Sequence, residues 1–252
     1  MEQEDVVIST STDETFIDYS RITLPFRNIV RSDDAEQFIH IPTTERAASL
    51  KESTAYHHTL HDVGIQVATG PIVDFRMREY LLSLPELGSA PLFYPGHFRN
   101  NQVEWPRDDL AKANAIAVNP QTERQLYPSG YYVVVRRFSS KEEQRRIVAG
   151  LVAPEERFGP RLGFENHLNV FHQNRSSLPE MVARGLTLYL NSTQFDLDFR
   201  LFSGHTQVNA TDLRNMSYPN RTTLMEFGRR SMEKPFAQAD IDQLIDDYEH
   251  ND

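Results

Sequence analysis

From Phe202 to Arg214 the chain reads Phe-Ser-Gly-His-Thr-Gln-Val-Asn-Ala-Thr-Asp-Leu-Arg. Gly204 sits among Ser203, His205, Thr206, Gln207 and Asn209, polar side chains that can hydrogen-bond base edges or phosphates. A helix start follows, with Asn209 as N-cap and Asp212 at N3. A helix N-terminus offers unpaired N–H groups and a partial positive charge, which suits a phosphate. Gln and Asn are the side chains that read adenine bidentately in the major groove. An ordinary polar loop capping a short helix uses the same residue types, so this stretch alone leaves both readings open.

Further candidates lie upstream. Asp74-Phe-Arg-Met-Arg78 puts Arg76 and Arg78 on one side if the segment is extended. Gly96-His-Phe-Arg-Asn-Asn101 reads as a hairpin tip that exposes His97 and Arg99 for contact with bases, or as a plain turn. Arg136 and Arg137 end a strand-like run, and Lys141 lies in the polar loop after it. Asn166 and His167 lie in Gly163-Phe-Glu-Asn-His-Leu-Asn169. His57 and His61 share a helix face, but no third ligand stands at metal spacing, so surface or packing roles are expected.

The elements that must position these residues follow from periodicity. Val6–Ile8, Ile22–Val30, Gln37–Ile41, Ile65–Thr69, Pro91–Tyr94, Gln102–Trp105 and Ala113–Val118 read as strands, with Gln102–Trp105 closing the hairpin on Pro91–Tyr94. Tyr131–Val135 is the clearest strand, being β-branched and aromatic. Arg145–Val152 fits its antiparallel partner, or else a helix capped by Ser139. A helix is expected from Thr43 or Thr44 to His61, and another from a Ser177-Leu-Pro-Glu180 capping box through Leu190. Asn191–Phe202 continues or restarts it; Ile241, Leu244 and Ile245 give a last surface helix its apolar stripe. The fold class is α+β: a twisted mixed or antiparallel sheet, with helices packed in the C-terminal third.

The 252 residues suffice for a sizeable core, and 39% hydrophobic with 25% charged residues is a globular composition. No apolar run spans a membrane and no signal peptide is evident, so a cytoplasmic protein is expected. The absence of cysteine excludes disulfides and thiolate metal sites. The net charge of -10 is unevenly spread. Residues 1–20 and 231–252 each carry a net -6, whereas residues 131–230 hold 14 basic against 10 acidic groups, 13 of the cations being Arg. Nucleic-acid affinity follows local Lys and Arg placement rather than the total. Residues 1–20 read as an acidic linker, and as the joint if the chain is part of a larger enzyme; 21–230 form the main domain, and 231–252 an acidic tail.

As an ensemble, several stretches resemble one family. They are Val67-Ala-Thr-Gly-Pro-Ile-Val-Asp-Phe-Arg76, Tyr94-Pro-Gly-His-Phe98, Pro128-Ser-Gly-Tyr-Tyr-Val-Val-Val-Arg-Arg-Phe-Ser-Ser-Lys-Glu-Glu143, Gly163–Asn169, Leu190-Asn-Ser-Thr193 and the 202–214 stretch. In this order they resemble the C-terminal part of the N6-adenine-specific DNA methyltransferases of restriction–modification systems, the class whose target recognition domain follows the catalytic domain. The 202–214 stretch also resembles, more weakly, the ends of recognition domains in type I specificity subunits, where a Gly, a Gln and an Asn also precede a short helix.

The resemblance implies sequence-specific binding of double-stranded DNA, with a catalytic methyltransferase domain in cis or in trans and no membrane partner. The alternative is a docking or specificity subunit for a catalytic methyltransferase or nuclease. Implied DNA contacts are Arg76, Arg78, His97, Arg99, Arg136, Arg137, Lys141, Asn166, His167, His205, Gln207 and Asn209. Residues shared across such a family also include scaffold, so Gly204–Asp212 fits either role.

The family's catalysis uses an Asn/Asp-Pro-Pro-Tyr/Phe motif and a glycine-rich turn for S-adenosylmethionine. This sequence has no Pro-Pro pair and no Gly-x-Gly, so no cofactor is expected in this chain and S-adenosylmethionine belongs to the parent enzyme. No acid stands two residues before Lys51, Lys112, Lys141 or Lys234, as common metal-dependent nucleases need. His167-Leu-Asn-Val-Phe-His172-Gln-Asn174 lacks the glycine turns of a metal-finger nuclease. Hydrolase and P-loop signatures are missing.

Overall fold

In a computed structural model, the described residues are 5–11, 13–30, 56–99, 102–140, 142–203, 206–233 and 237–249. Two compact units divide the chain, one from residues 1–54 and 197–204, the other from 55–196 and 205–252. In the smaller unit, β1 (Val6–Thr10) pairs antiparallel with β2 (Ser20–Leu24), with Val6 opposite Leu24 and Thr10 opposite Ser20. The segment expected as a linker therefore carries a hairpin. The strand expected to run to Val30 stops at Leu24, because Pro25 cannot continue the ladder, and a single turn α1 (Phe26–Ile29) follows. The expected strand Gln37–Ile41 and residues 43–55 of the expected helix lie outside the described residues, as do Lys141, Gly204 and His205.

Among the described residues of the larger unit are a four-stranded and a five-stranded sheet. One is antiparallel, in the order β11 (Ala149–Val152), β10 (Tyr132–Arg136), β13 (Leu168–His172), β3 (Gln66–Thr69). Tyr132–Val135 lies between two neighbours and is buried on both faces, which is why it reads as a continuous apolar run. The pairing of β10 with β11 selects the strand over the helix for Ala149–Val152. The other sheet is mixed, in the order β4 (Leu81–Leu82), β8 (Ala115–Ala117), β5 (Ser89–Phe93), β12 (Arg161–Phe164), β9 (Tyr127–Pro128), with β5 and β12 parallel. An aromatic core draws on both sheets: Phe93 lies 5.5 Å from Phe158, and Phe164 lies 5.3 Å from Tyr127 and 5.4 Å from Tyr132. The buried Tyr132 hydroxyl donates to the Pro128 carbonyl at 2.8 Å, so no polar atom is stranded there.

Helices occupy the C-terminal third: α2 (Glu180–Leu190), α3 (Thr193–Phe202), α4 (Ala210–Arg214), α5 (Arg221–Glu233) and α6 (Gln238–Glu249). This matches the expected α+β class. The α2/α5 packing brings backbones together: a methyl at Gly185 would lie 1.8 Å from the Leu224 carbonyl oxygen, and one at Gly228 would lie 2.0 Å from that of Met181. The helix restarts at Thr193, whose N–H and hydroxyl both donate to Asp242 at 2.7 Å. Those bonds and the buried Ile241 and Ile245 hold α6 in place.

Two local expectations fail for tertiary reasons. The Ser177 capping box does not form; Pro179 occupies the N-cap, and Glu180 pairs with Arg184 at 2.8 Å. Leu178 bridges Tyr131 and Ser177 packs against Gly130, so this segment is committed to strand-like pairing. The described end of the expected helix, Tyr56–His61, is not helical, since His58 bridges Tyr218 and Thr59 folds onto Asp62.

Candidate functional site

Three segments distant in sequence meet at one end of the antiparallel sheet. The first is the link 165–167 between β12 and β13, with the first residue of β13. It is fixed by backbone bonds from Glu165 N–H to Phe93 O (3.0 Å), Asn166 N–H to Ile72 O (2.9 Å) and Gly70 N–H to Leu168 O (2.8 Å). Gly70 is required by this approach, because a side chain there would lie 2.2 Å from the Glu165 carbonyl oxygen. The second segment is the end of β10, where Arg137 N–H donates to His167 O at 2.9 Å. The third is 206–209, which lies along 137–139: Val208 N–H donates to Arg137 O at 2.7 Å, and Ser139 N–H to Thr206 O at 3.3 Å. The buried Asn169 amide donates to Val208 O at 2.7 Å and locks this third segment to β13.

Side chains converge on that frame. Arg137 donates to the Asn166 carbonyl at 3.0 Å and, at a long 3.4 Å, to Gln207 Oε1. Its guanidinium lies 5.6 Å from the Phe138 ring centroid. Phe138 is 45% exposed and its ring centroid lies 5.1 Å from that of His167. Arg136 donates to Glu143 at 2.6 Å, and the Ser140 N–H donates to the same carboxylate at 2.9 Å. The Ser140 N–H and then Arg136 hold the Glu143 carboxyl below its usual range, against the opposing effect of burial. Asn209 stands at the N-cap of α4 as expected; Asp212 accepts its backbone N–H at 3.1 Å and its side-chain amide at 3.3 Å.

Of the expected residues, Arg137, Asn166, His167 and Gln207 thus come together, while Arg136 pairs with Glu143 and Asn209 caps α4. Arg76 and Arg78 stand on the neighbouring segment, but the chain there forms two successive 3-10 turns, 74–76 and 78–80, and is not extended. Both arginines are exposed, and Arg76 packs over the 60% exposed ring of Phe75. The adjacent Asp74 is held by Lys112 at 2.9 Å. That hydrogen bond, above all, keeps its carboxyl below the usual range, and His167 is close enough to add to the effect.

The hairpin-tip expectation is corrected. The tight hairpin is β6 (Phe98–Arg99) with β7 (Gln102–Val103), and His97 ends a 3-10 turn that points it inward. His97 is fully buried; its Nδ1 accepts the Tyr94 N–H at 3.0 Å, so Nε2 carries the proton shared with Asn114 Oδ1 at 2.9 Å. Burial holds its imidazole below the ordinary histidine range, the Asn114 bond opposing. Both nitrogens are consumed internally, which leaves His97 nothing to offer a ligand. Arg99 is exposed, with Glu104 at 3.6 Å and Asp109 at 3.5 Å.

Sequence reasoning missed Glu165, Phe138 and Phe75. Glu165 is fully buried and grips His167 through both carboxylate oxygens. The Glu-x-His spacing within Gly163–Asn169 is a visible signal for it, and the aromatic–arginine neighbours Phe75-Arg76 and Arg137-Phe138 are signals for the other two. Among the described residues no group of three or more His, Asp or Glu could hold a metal ion, and no helix is long and apolar enough to cross a membrane.

No family model matches the chain. It is 48% identical over 252 residues to the type II methyltransferase M.BsuBI of Bacillus subtilis, an alignment covering 99% of this chain and 50% of that protein. It is 40% identical over 241 residues to the type II methyltransferase M.PstI of Providencia stuartii, covering 95% of this chain and 48% of that protein. The chain spans about half the length of these curated relatives, and its homologues are type II methyltransferases.

Proposed function

We propose that this chain is the sequence-specific, double-stranded DNA recognition module of a site-specific adenine-N6 methyltransferase from a restriction–modification system, with the catalytic domain supplied in cis or in trans. The observation that carries this is the convergence of Arg137, Phe138, Asn166, His167 and Gln207 at one sheet end, beside the exposed Arg76 and Arg78. Cations for phosphates, amide and imidazole edges for bases and aromatic faces for stacking are the three chemistries duplex recognition uses. The names of the homologues supply the reaction class.

Among the described residues the parallel strands β5 and β12 lead into the Tyr94–Phe98 turn and the 165–167 link, not into a glycine-rich turn opening a helix. We therefore assign no methyl-transfer step to this chain and propose that S-adenosylmethionine is bound by the catalytic part of the parent enzyme.

The test is duplex binding by fluorescence anisotropy across salt concentrations. The double variant Arg76→Ala, Arg78→Ala is expected to weaken all duplexes alike and to lower the log–log salt slope by about 1 for each phosphate no longer neutralised. Unchanged affinity and slope would remove these arginines from the interface; absence of duplex binding by the wild-type chain would reject the function.

A docking role is favoured by one separate feature. In the smaller unit the β1–β2 connection exposes Phe16, Ile17 and Tyr19, Ile17 at 84%. Its proposed occupant is the half of the methyltransferase that this chain does not span. Ile17→Ser should then weaken association with the separately produced remaining half and leave duplex binding intact.

A further inference from the structure

His167 is gripped in an asymmetric way. Glu165 is wholly buried, and its Oε2 accepts the His167 backbone N–H at 2.9 Å while its Oε1 lies 2.6 Å from His167 Nδ1. A carboxylate has no proton to give, so the proton of the second bond is carried by Nδ1. In the neutral ring Nε2 is then a bare acceptor. The side chain is 45% exposed, Phe138 packs beside the ring, and among the described residues no hydrogen bond engages Nε2. Nearby Asp74 is taken up by Lys112 at 2.9 Å.

We infer that Glu165 is a positioning residue that fixes the proton of His167 on Nδ1 and presents Nε2 outward as an acceptor, so that His167 reads an exocyclic amino group, of adenine or cytosine, in the major groove. The inference rests on the DNA-recognition function proposed above. In the major groove adenine N6 and cytosine N4 are donors, whereas guanine O6 and N7 and thymine O4 are acceptors. A histidine locked as an acceptor therefore discriminates between these two classes without carrying charge.

The geometry makes a directional prediction for Glu165→Gln. The His167 backbone N–H only donates, so the glutamine oxygen must stay opposite it. Its NH2 group then faces Nδ1, which must accept, and the ring proton moves to Nε2. The outward edge changes from acceptor to donor while shape and packing are preserved.

The experiment combines 15N NMR of the imidazoles at pH 7.5, melting of both proteins, and selection of bound duplexes from a randomised pool by each. The expected results are an Nδ1–H tautomer in the wild type, an Nε2–H tautomer in the variant, similar melting, and one position of the selected site moving from adenine or cytosine to guanine or thymine. A proton on Nε2 in the wild type, as tautomer or imidazolium, overturns the inference. So does the same tautomer in both proteins, or an unmoved base preference after the tautomer has inverted.

If Glu165→Gln does not fold, His167→Phe keeps a ring without nitrogen. Relaxed preference at one position supports the inference, and unchanged preference overturns it. A wild-type pool with no sequence preference, the tautomers being as stated, rejects the recognition function and the base contact together, and leaves Glu165 as the residue that orients the ring.

Discussion

The molecule holds two histidines in opposite ways. His97 gives Nδ1 to a backbone N–H and shares Nε2 with Asn114, inside an aromatic shell that includes Phe93 at 6.3 Å. His167 gives one nitrogen to a buried carboxylate and keeps the other toward solvent. Both side chains are oriented by hydrogen bonds. The difference is in how many hydrogen-bonding sites remain: none at His97, one at His167. A polar residue with every site occupied belongs to the scaffold, and one held by a single edge keeps a site that a ligand can take, the role proposed for His167.

The largest expected effect breaks this contrast in stability. His97→Ala leaves the Tyr94 N–H and Asn114 Oδ1 without their histidine partner and opens a cavity, at a cost of about 2–4 kcal/mol in urea unfolding. His167→Ala should cost about 1 kcal/mol or less, because water can replace a half-exposed ring. Equal losses would erase the distinction between the two sites.

Gln207 sharpens the contrast in binding. It is half-buried and uncharged, and its Oε1 accepts from Arg137 at a long 3.4 Å. Gln207→Ala should cost roughly 1–3 kcal/mol on the preferred duplex and leave affinity for a random duplex and the salt slope nearly unchanged. Parallel losses on both duplexes would make Gln207 part of the frame.

The pH dependence isolates the buried site. Burial lowers the pKa of His97 from the ordinary 6.5, and that of His172 likewise, with Arg175 adding to the shift at His172. The unfolded chain then binds more protons than the folded one below that pH, so stability is full above about pH 6.5 and declines as the pH falls further. The carboxyls lowered by partners, Asp74 and Glu143, lose their contribution only at more acid pH, below ordinary values of 3.8 and 4.5. Urea midpoints between pH 7.5 and 5 should fall, and the limb should flatten in His97→Gln, the remaining slope being that of His172. A limb unchanged by His97→Gln would contradict the assignment.

The smallest effect is at Asn209. Loss of its cap interactions in Asn209→Ala should lower stability by about 1 kcal/mol, read as a shift in melting temperature. An accompanying loss confined to the preferred duplex would add base contact to its structural role.

What could be read from the sequence tracks the range of the interaction. Tyr132–Val135 was legible because a β-branched run buried on both faces is a local pattern, and α2 because its apolar spacing is helical. The Asn209–Asp212 start of α4 was legible because a capping pair is a local, three-residue signal. His97 was not: Pro-Gly-His-Phe looks like an exposed turn until Asn114, seventeen residues on, takes its ring. Ser177-Leu-Pro-Glu180 has the local form of a cap and loses to the pairing of Leu178 with Tyr131. At the candidate site the polar residues of 202–214 and 163–169 were visible as composition, but their meeting with Arg137 depends on hydrogen bonds between segments tens of residues apart. The burial of Glu165 depends on Gly70, Ile72 and Phe93, and no local pattern encodes that.

The central claim, that this chain recognises a particular DNA sequence, is tested most directly by one titration. A duplex recovered by selection and a scrambled duplex of equal length and composition are each bound to the wild-type chain at several salt concentrations. The prediction is that log K falls linearly with log salt for both, with the selected duplex bound at least ~10³-fold more tightly at physiological salt. Equal affinity for the two duplexes across the salt range would contradict it.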